Sequence, residues 1–172
     1  MSAQPGADTT AAIARRPASW RHEWTNWLIV AAIGVHIVEE YALNFNGWAR
    51  AIGVPLTAED FHLANAGVTL YAVGCAAIGW RLPSVALSSA ALVALNAAGF
   101  HLGASIVTGS YSPGTATALA LFLPAAAGVY AGAWRDGVLT RGAIAVSLVI
   151  GLGWHVFLGG VFYVKYFSPL YP

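Results

Sequence analysis

The chain is organised as long apolar runs separated by short polar breaks. Five runs can be distinguished, at about residues 24–44, 61–80, 84–107, 115–134 and 143–166. Each contains roughly 20 residues, the length that an α-helix needs to cross about 30 Å of hydrocarbon at 1.5 Å per residue. The pattern therefore predicts an all-α integral membrane bundle of about five transmembrane helices.

The breaks between the runs carry turn-forming residues and charges. They are the stretch 44–59 around Pro55, the tripeptide 81–83, the segment 109–114 and the tripeptide 135–137. Proline and glycine end helices at such places. Glu59 and Asp60 precede the second run, where acidic side chains complement the positive end of a helix dipole, so we expect them to cap that helix.

Basic residues are distributed unevenly between the two sides that these runs define. Six fall on the side of the N-terminus and two on the other; the six are Arg15, Arg16, Arg21, Arg81, Arg135 and Arg141, and the two are Arg50 and Lys165. Cytoplasmic loops carry the excess of Lys and Arg. The N-terminus is therefore predicted to be cytoplasmic and the C-terminus extracytoplasmic.

Composition agrees with a membrane protein and excludes other classes. The chain has 172 residues, of which 58% are hydrophobic and 9% charged, against about 25% charged in soluble domains. The formal net charge of +1 comes from scattered residues, so no nucleic acid is expected as a partner. We predict a flexible polar tail at residues 1–23 and a single domain at residues 24–172, with the lipid bilayer as its surroundings.

A cluster of ionisable residues interrupts the first apolar run. His36, Glu39 and Glu40 are separated by three and four positions, so all three can face one cavity from a helix. A carboxylate near the middle of the bilayer costs roughly 2.5–3.5 kcal/mol, and such residues are functional by default. The alternative is that the three side chains only hold helices together, but two adjacent carboxylates are costly for that purpose.

Polar residues of the other runs are predicted to lie at the same depth. When successive helices alternate in direction, the strongly polar residues of the second, third and fifth runs fall in the layer of the His36 motif; they are His62, Asn65, Asn96, His101 and His155. The layer lies in the outer half of the membrane. Three assignments stay open, because His155 could bond a carbonyl of a neighbouring helix, His62 could be interfacial, and Asn96 could link helices.

The ordered set of motifs resembles a known family. The sequence is similar to the bacterial membrane proteins named for their H-x-x-E-E motif, here His36, Glu39 and Glu40. In that family an Asn follows in the second span and a His in the third, and a Tyr-x-Pro-Gly-like turn comes next. Asn65, His101 and the segment 111–114 occupy these places. The resemblance implies a bacterial inner-membrane protein and its key residues, but no reaction.

Three functions are compatible with these residues. The first is a membrane metalloenzyme that acts on a small hydrophobic substrate and holds one divalent transition metal, Zn²⁺ or Fe²⁺, because neutral imidazoles and a carboxylate suit these ions. Its candidate ligands are His36, Glu39, Glu40, His101 and His155, and its candidate catalytic residues are Glu39, Glu40, Asn65 and Tyr111. The second is a metal-free acid/base isomerase or cyclase of a terpenoid or sterol-like substrate. The third is a transporter or a metal- or proton-binding membrane protein.

Overall fold

The computed structural model describes residues 20–168, and each regular element in this range is helical. We number the six helices α1 to α6: Asn26–Ala42, Phe45–Ala51, Ala58–Ile78, Pro83–Thr108, Thr115–Arg135 and Arg141–Phe167. The prediction of an all-α bundle is confirmed. Most of the predicted tail, including Arg15 and Arg16, lies outside the described residues.

Four of these helices, α3 to α6, are long and apolar enough to cross a membrane. A 3-10 turn at Glu23–Thr25 leads into α1. The segment Glu23–Ala42 passes the same test only together with α2, from which it is bent by 62°. The number of spans is therefore four, or five when this bent pair is included, which agrees with the predicted five.

Helix α2 is the element that the sequence pattern missed. The stretch 44–59 was predicted as a loop, but residues Phe45–Ala51 form a short helix. Asn44 precedes it in the left-handed conformation, with φ 54°, and its side chain accepts a hydrogen bond from the Gly47 amide. Asn tolerates this backbone region better than most residues. The turn at Asn44 therefore redirects the chain sharply after α1.

The long helices begin at residues that satisfy their first amide groups. Thr57 and Asp60 form a reciprocal capping box at the start of α3, as the acidic residues there predicted. The Thr140 side chain accepts from the Ala143 amide at the start of α6. Pro83 occupies the first turn of α4, where its missing N–H is not needed.

Helix α4 is the centre of the bundle and contacts α1, α3, α5 and α6. Small residues allow this close packing, because backbones approach most closely where side chains are short. A Cβ on Gly151 of α6 would lie 2.9 Å from the Leu92 amide nitrogen of α4. The two helices therefore touch along their backbones at this point.

The outer surface of the bundle is strongly apolar. Large side chains such as Leu63, Leu70, Val107 and Val149 are each at least 70% exposed. A soluble monomer does not present such a surface over its whole circumference. This surface fits contact with lipid tails, which agrees with the hydropathy of the helices.

Helices α4 and α5 each contain a π-helical segment. The segment in α4 covers Asn96–Gly103, and the one in α5 covers Ala118–Phe122. Such local widening of a helix is frequent at functional sites, because it changes the direction of side chains. Both segments lie beside the polar cluster described below.

A polar cluster links the helices at the end of the bundle opposite the His36 motif. The Asp136 carboxylate accepts hydrogen bonds from the His22 amide at 2.7 Å, from His22 Nδ1 at 2.7 Å and from Trp80 Nε1 at 3.0 Å. Trp80 is 1% exposed. We call His22, Trp80 and Asp136 the Asp136 cluster.

Candidate metal centre

Three side chains from two helices converge near one end of the bundle. His36 and Glu40 lie one turn apart on α1, and His101 lies in the π segment of α4. One ligand atom from each lies within 4.8 Å of the others. All three residues are buried. The structure thus brings His101, which the sequence placed at the depth of the His36 motif, next to His36 and Glu40.

The ring nitrogens of the two histidines have different surroundings. Nδ1 of His36 is hydrogen-bonded to the Thr117 hydroxyl at 2.9 Å, and Nδ1 of His101 to the Ser112 hydroxyl at 3.3 Å. Nε2 of both rings faces Glu40 Oε1, at 3.5 Å and 3.7 Å. Metal-binding histidines are typically held this way, with one nitrogen on a protein group and the other on the metal.

The hydroxyl of Thr117 indicates which nitrogen of His36 carries the proton. This hydroxyl donates its hydrogen to the Gly114 carbonyl at 3.2 Å, so it accepts from His36 Nδ1–H. A neutral His36 therefore has a lone pair at Nε2. That lone pair faces a carboxylate oxygen, and such an arrangement requires a cation or a proton between the two atoms.

The separations in this group fit a metal ion better than a shared proton. N–H···O hydrogen bonds span about 2.7–3.2 Å, and both Nε2–Oε1 distances are longer. Two ligands held about 2.1 Å from a tetrahedral Zn²⁺ lie about 3.4 Å apart. In addition, His101 Nε2 is buried without a hydrogen-bond partner. These residues could hold a metal ion, in agreement with the predicted metal site.

The turn before α5 packs directly onto this group. A Cβ on Gly114, whose φ is +97°, would lie 2.6 Å from His36 Cε1 and 2.7 Å from His101 Cε1. Only glycine combines this backbone conformation with this proximity. The Tyr111–Gly114 turn therefore closes one side of the group.

Glu39 points away from the three converging residues. Its Oε2 accepts from the Thr117 amide at 2.8 Å, and its Oε1 accepts from the Tyr111 hydroxyl at 2.5 Å. A carboxylate in this place stabilises the exposed amides at the start of α5. Partial burial and the hydrogen bond to Glu39 both raise the pKa of Tyr111 above its usual value. Tyr111 therefore remains a hydrogen-bond donor at neutral pH.

An apolar cavity of about 430 Å³ reaches the group from the side of α6. His36 and Glu40 form part of its wall, together with aromatic and aliphatic side chains such as Ile33, Phe122 and Leu158. Cavities of about 300–1,000 Å³ with apolar walls and a few polar groups are typical small-molecule sites. The cavity thus connects the polar group to space that suits a hydrophobic molecule.

The remaining predicted site residues line this cavity or lie apart from it. Asn65, Asn96 and His155 belong to its wall, but His155 does not converge with the group of three, and its Nδ1 is bonded to the Gly151 carbonyl of its own helix at 2.9 Å. The alternative left open from the sequence was a carbonyl of a neighbouring helix, so the partner of His155 differs from both expectations. His62 is exposed on α3.

The roles of three residues of the site were not predicted from the sequence. Ser112 and Thr117 orient the two imidazoles, and Gly114 allows the turn to approach them. Hydroxyl residues are too common in this chain to carry a signal alone. Ser112 and Gly114 lie in the 111–114 turn that the family resemblance indicated, whereas Thr117 had no signal beyond its place at the start of the fourth apolar run.

The comparison with known families agrees with this geometry. No curated protein and no solved structure matches the chain. Residues 27–129 match a family described as "Protein of unknown function with HXXEE motif". The matched range contains the three converging residues and the turn that covers them, and it ends before α6 and His155. Because the match covers more than half of the chain, this protein belongs to the HXXEE-motif family.

Proposed function

We propose that the protein is a membrane-embedded enzyme that uses one divalent transition metal, held by His36, Glu40 and His101, to act on a lipid-soluble small molecule. One observation carries the proposal. Two imidazoles, each held at Nδ1 by a hydroxyl, present Nε2 to the same carboxylate oxygen at 3.5 Å and 3.7 Å. This arrangement stands at the end of an apolar cavity.

The donor set favours Zn²⁺ or Fe²⁺. Two histidines and one carboxylate are the protein ligands of several catalytic zinc sites and of non-haem iron sites, both of which keep a coordination position open. A bound metal of this kind supplies Lewis-acid activation of a substrate oxygen or of water. His36 and Glu40 line the cavity, so we expect the open position to face it.

We assign different roles to the two adjacent carboxylates. Glu40 is proposed as a metal ligand, because its Oε1 faces both imidazoles. Glu39 is proposed to hold the turn over the site through Thr117 and Tyr111. Asn65 lines the cavity and is proposed to orient a polar group of the substrate.

The proposed setting is the cytoplasmic membrane of a bacterium, with the N-terminus inside. The distribution of basic residues supports this orientation. A reporter fused after Pro172 is then expected on the extracytoplasmic side. A cytoplasmic readout would contradict five spans with this orientation.

Elemental analysis of the purified protein tests the proposal directly. We expect about one transition-metal ion for each wild-type chain. His36→Ala and His101→Ala should each abolish metal binding, because a three-ligand site does not survive the loss of one imidazole. His62→Ala and His155→Ala are the matched controls, since these imidazoles lie outside the group, and both should keep the metal.

The same measurement identifies the alternative. Wild-type protein that binds no metal, even after reconstitution with Zn²⁺ or Fe²⁺, would contradict the proposed metal centre. It would then favour acid/base chemistry in which a proton is shared among Glu40, His36 and His101. Metal retained equally in all four variants would show that the metal binds elsewhere.

A further inference from the structure

Glu40 forms part of the wall of two cavities. The first is the apolar cavity of about 430 Å³ described above, and the second, of about 460 Å³, lies on the side of α2. Phe45 and Phe61 also border both. Glu40, Phe45 and Phe61 therefore form a wall that the two cavities share.

The two cavities differ sharply in chemical character. The wall of the first is dominated by apolar side chains, whereas the second contains Tyr41, Asn44, Asn46 and Arg50. The side-chain oxygen of Asn46 is buried without a hydrogen-bond partner. A buried polar atom of this kind costs free energy unless a ligand or water satisfies it. The second cavity is therefore suited to a polar group.

Arg50 gives the polar cavity its charge preference. Its guanidinium donates to the Leu56 carbonyl at 3.1 Å, and within residues 20–168 it forms no ion pair. A guanidinium has five donors in a planar fork that matches carboxylate and phosphate groups. Both features favour an anionic group.

The apolar cavity has an opening toward the lipid-facing surface. Helices α4 and α6 touch at Gly151, but a Cβ on Gly159, two turns further along α6, would meet nothing within 4 Å. Phe100, Tyr163 and Phe167 line the cavity and are 47%, 63% and 52% exposed. The divergence of α6 from α4 therefore leaves a gap through which a hydrocarbon chain can enter from the bilayer.

We infer that the substrate is an amphiphile with an anionic head and a hydrocarbon chain, whose head binds at Arg50, whose chain fills the apolar cavity beside α6, and whose reactive bond lies at Glu40. This inference rests on the proposed function for the nature of the reaction. The binding mode itself follows from the two cavities and their shared wall.

Photocrosslinking tests this binding mode. The probe is a long-chain fatty carboxylate with a diazirine near the end of its chain, added to purified full-length protein in lipid nanodiscs. We expect labelled peptides from the second half of α6 or from the π segment of α4. The primary amide of the same chain should label less, because it lacks the charge that Arg50 recognises.

Two pairs of variants separate binding from folding. Arg50→Gln should reduce labelling by the carboxylate about tenfold, which corresponds to about 1.4 kcal/mol. Arg81→Gln is its control, since Arg81 is also exposed and also donates to backbone carbonyls. Gly159→Trp should block labelling, because the indole would enter the cavity. Gly160→Trp is its control, because Gly160 is equally open but does not line the cavity.

The outcomes distinguish this inference from the metal proposal. Labelling that is confined to the outer apolar surface, or that is unchanged by Arg50→Gln and Gly159→Trp, would overturn the inference even in protein that contains metal. Specific labelling of metal-free protein would support the amphiphile site and contradict only the metal centre. Equal labelling by the carboxylate and the amide would overturn the anionic head.

Discussion

Two histidine–carboxylate clusters, one near each end of the bundle, contain similar residues but serve different purposes. In the Asp136 cluster, His22 Nδ1 lies 2.7 Å from the carboxylate, and both carboxylate oxygens receive hydrogen bonds from protein donors. In the candidate metal centre, the imidazole–carboxylate distances are 3.5 Å and 3.7 Å, and His101 Nε2 has no hydrogen-bond partner.

The difference shows how to separate a structural cluster from a candidate site. A buried polar group lowers the stability of the fold unless it is paired, so a cluster that serves the fold alone satisfies itself. The Asp136 carboxylate does so. The metal-centre residues converge at distances that suit a third partner and border cavities. Polar side chains that converge without satisfying one another's hydrogen bonds therefore indicate a binding site.

The largest effect is expected from Gly114→Ala, which forces a side chain into the candidate metal centre. The new Cβ would collide with both imidazoles, and the backbone would have to remain at φ +97°. We expect a loss of about 2–5 kcal/mol in the free energy of unfolding, together with loss of the metal.

Gly109→Ala is the matched control for this variant. Gly109 also has a positive φ, +63°, but a Cβ there meets nothing within 4 Å. Gly109→Ala should lose about 1–2 kcal/mol in the free energy of unfolding, from backbone strain alone, and it should keep its metal. Equal behaviour of the two variants, measured by unfolding in detergent and by elemental analysis, would show that Gly114 does not pack on the site.

Asp136→Ala should lower the stability of the protein without loss of the metal. The variant removes the acceptor of three hydrogen bonds from His22 and Trp80, so we expect a loss of about 2–4 kcal/mol in the free energy of unfolding. Metal content should not change. Arg135→Ala, one residue away and exposed, is the control with a small effect. Loss of metal in folded Asp136→Ala would mean that the two clusters are coupled.

Thr117→Val tests how the imidazoles are oriented. The change keeps the shape of the side chain but removes the hydroxyl that binds His36 Nδ1. Loss of such an outer contact typically weakens metal binding by about 10–100-fold. Competition with a chelator measures the affinity, and Thr108→Val, on an exposed threonine of α4, is the control. An unchanged affinity would show that Thr117 does not support the ligand.

The smallest expected effect is a loss of stability at acid pH, which comes from the Asp136 cluster. Burial raises the pKa of Asp136, but the hydrogen bonds from His22 and Trp80 outweigh it and hold the pKa below the ordinary value of 3.8. The stabilisation is therefore fully present above this ordinary value and is lost as the pH falls toward the folded-state pKa. The Tm of the wild type should fall more steeply below about pH 4 than the Tm of Asp136→Asn. Parallel pH profiles would refute this contribution.

Much of the architecture could be predicted from local sequence. Apolar runs of about 20 residues separated by Pro, Gly and charged residues were sufficient for the long helices, since the length of a span depends only on the bilayer. Helix α2 was not predicted, because seven residues are too few to show a helical repeat of apolar positions. The redirecting turn depends on the conformation of a single residue, Asn44.

The candidate site was predictable in part. His36 and Glu40 are four residues apart on a helix, so the sequence alone placed them on one face, and the shared depth indicated His101. The sequence did not separate Glu40 from Glu39. Neighbouring residues on a helix point about 100° apart, and the rotation of α1 against α4 and α5 decides which of them meets the imidazoles.

By itself, then, the sequence predicted a helical membrane bundle and placed the ionisable residues of its apolar runs in one layer; they are His36, Glu39, Glu40, His62, His101 and His155. Only the tertiary structure decided that His36, Glu40 and His101 converge, that Glu39 binds the turn before α5, and that His155 bonds its own backbone. The physical reason is that hydropathy and helical period act along the chain. The orientation of a side chain between helices is set by packing, which in this protein depends on Gly114, Gly151 and two π segments.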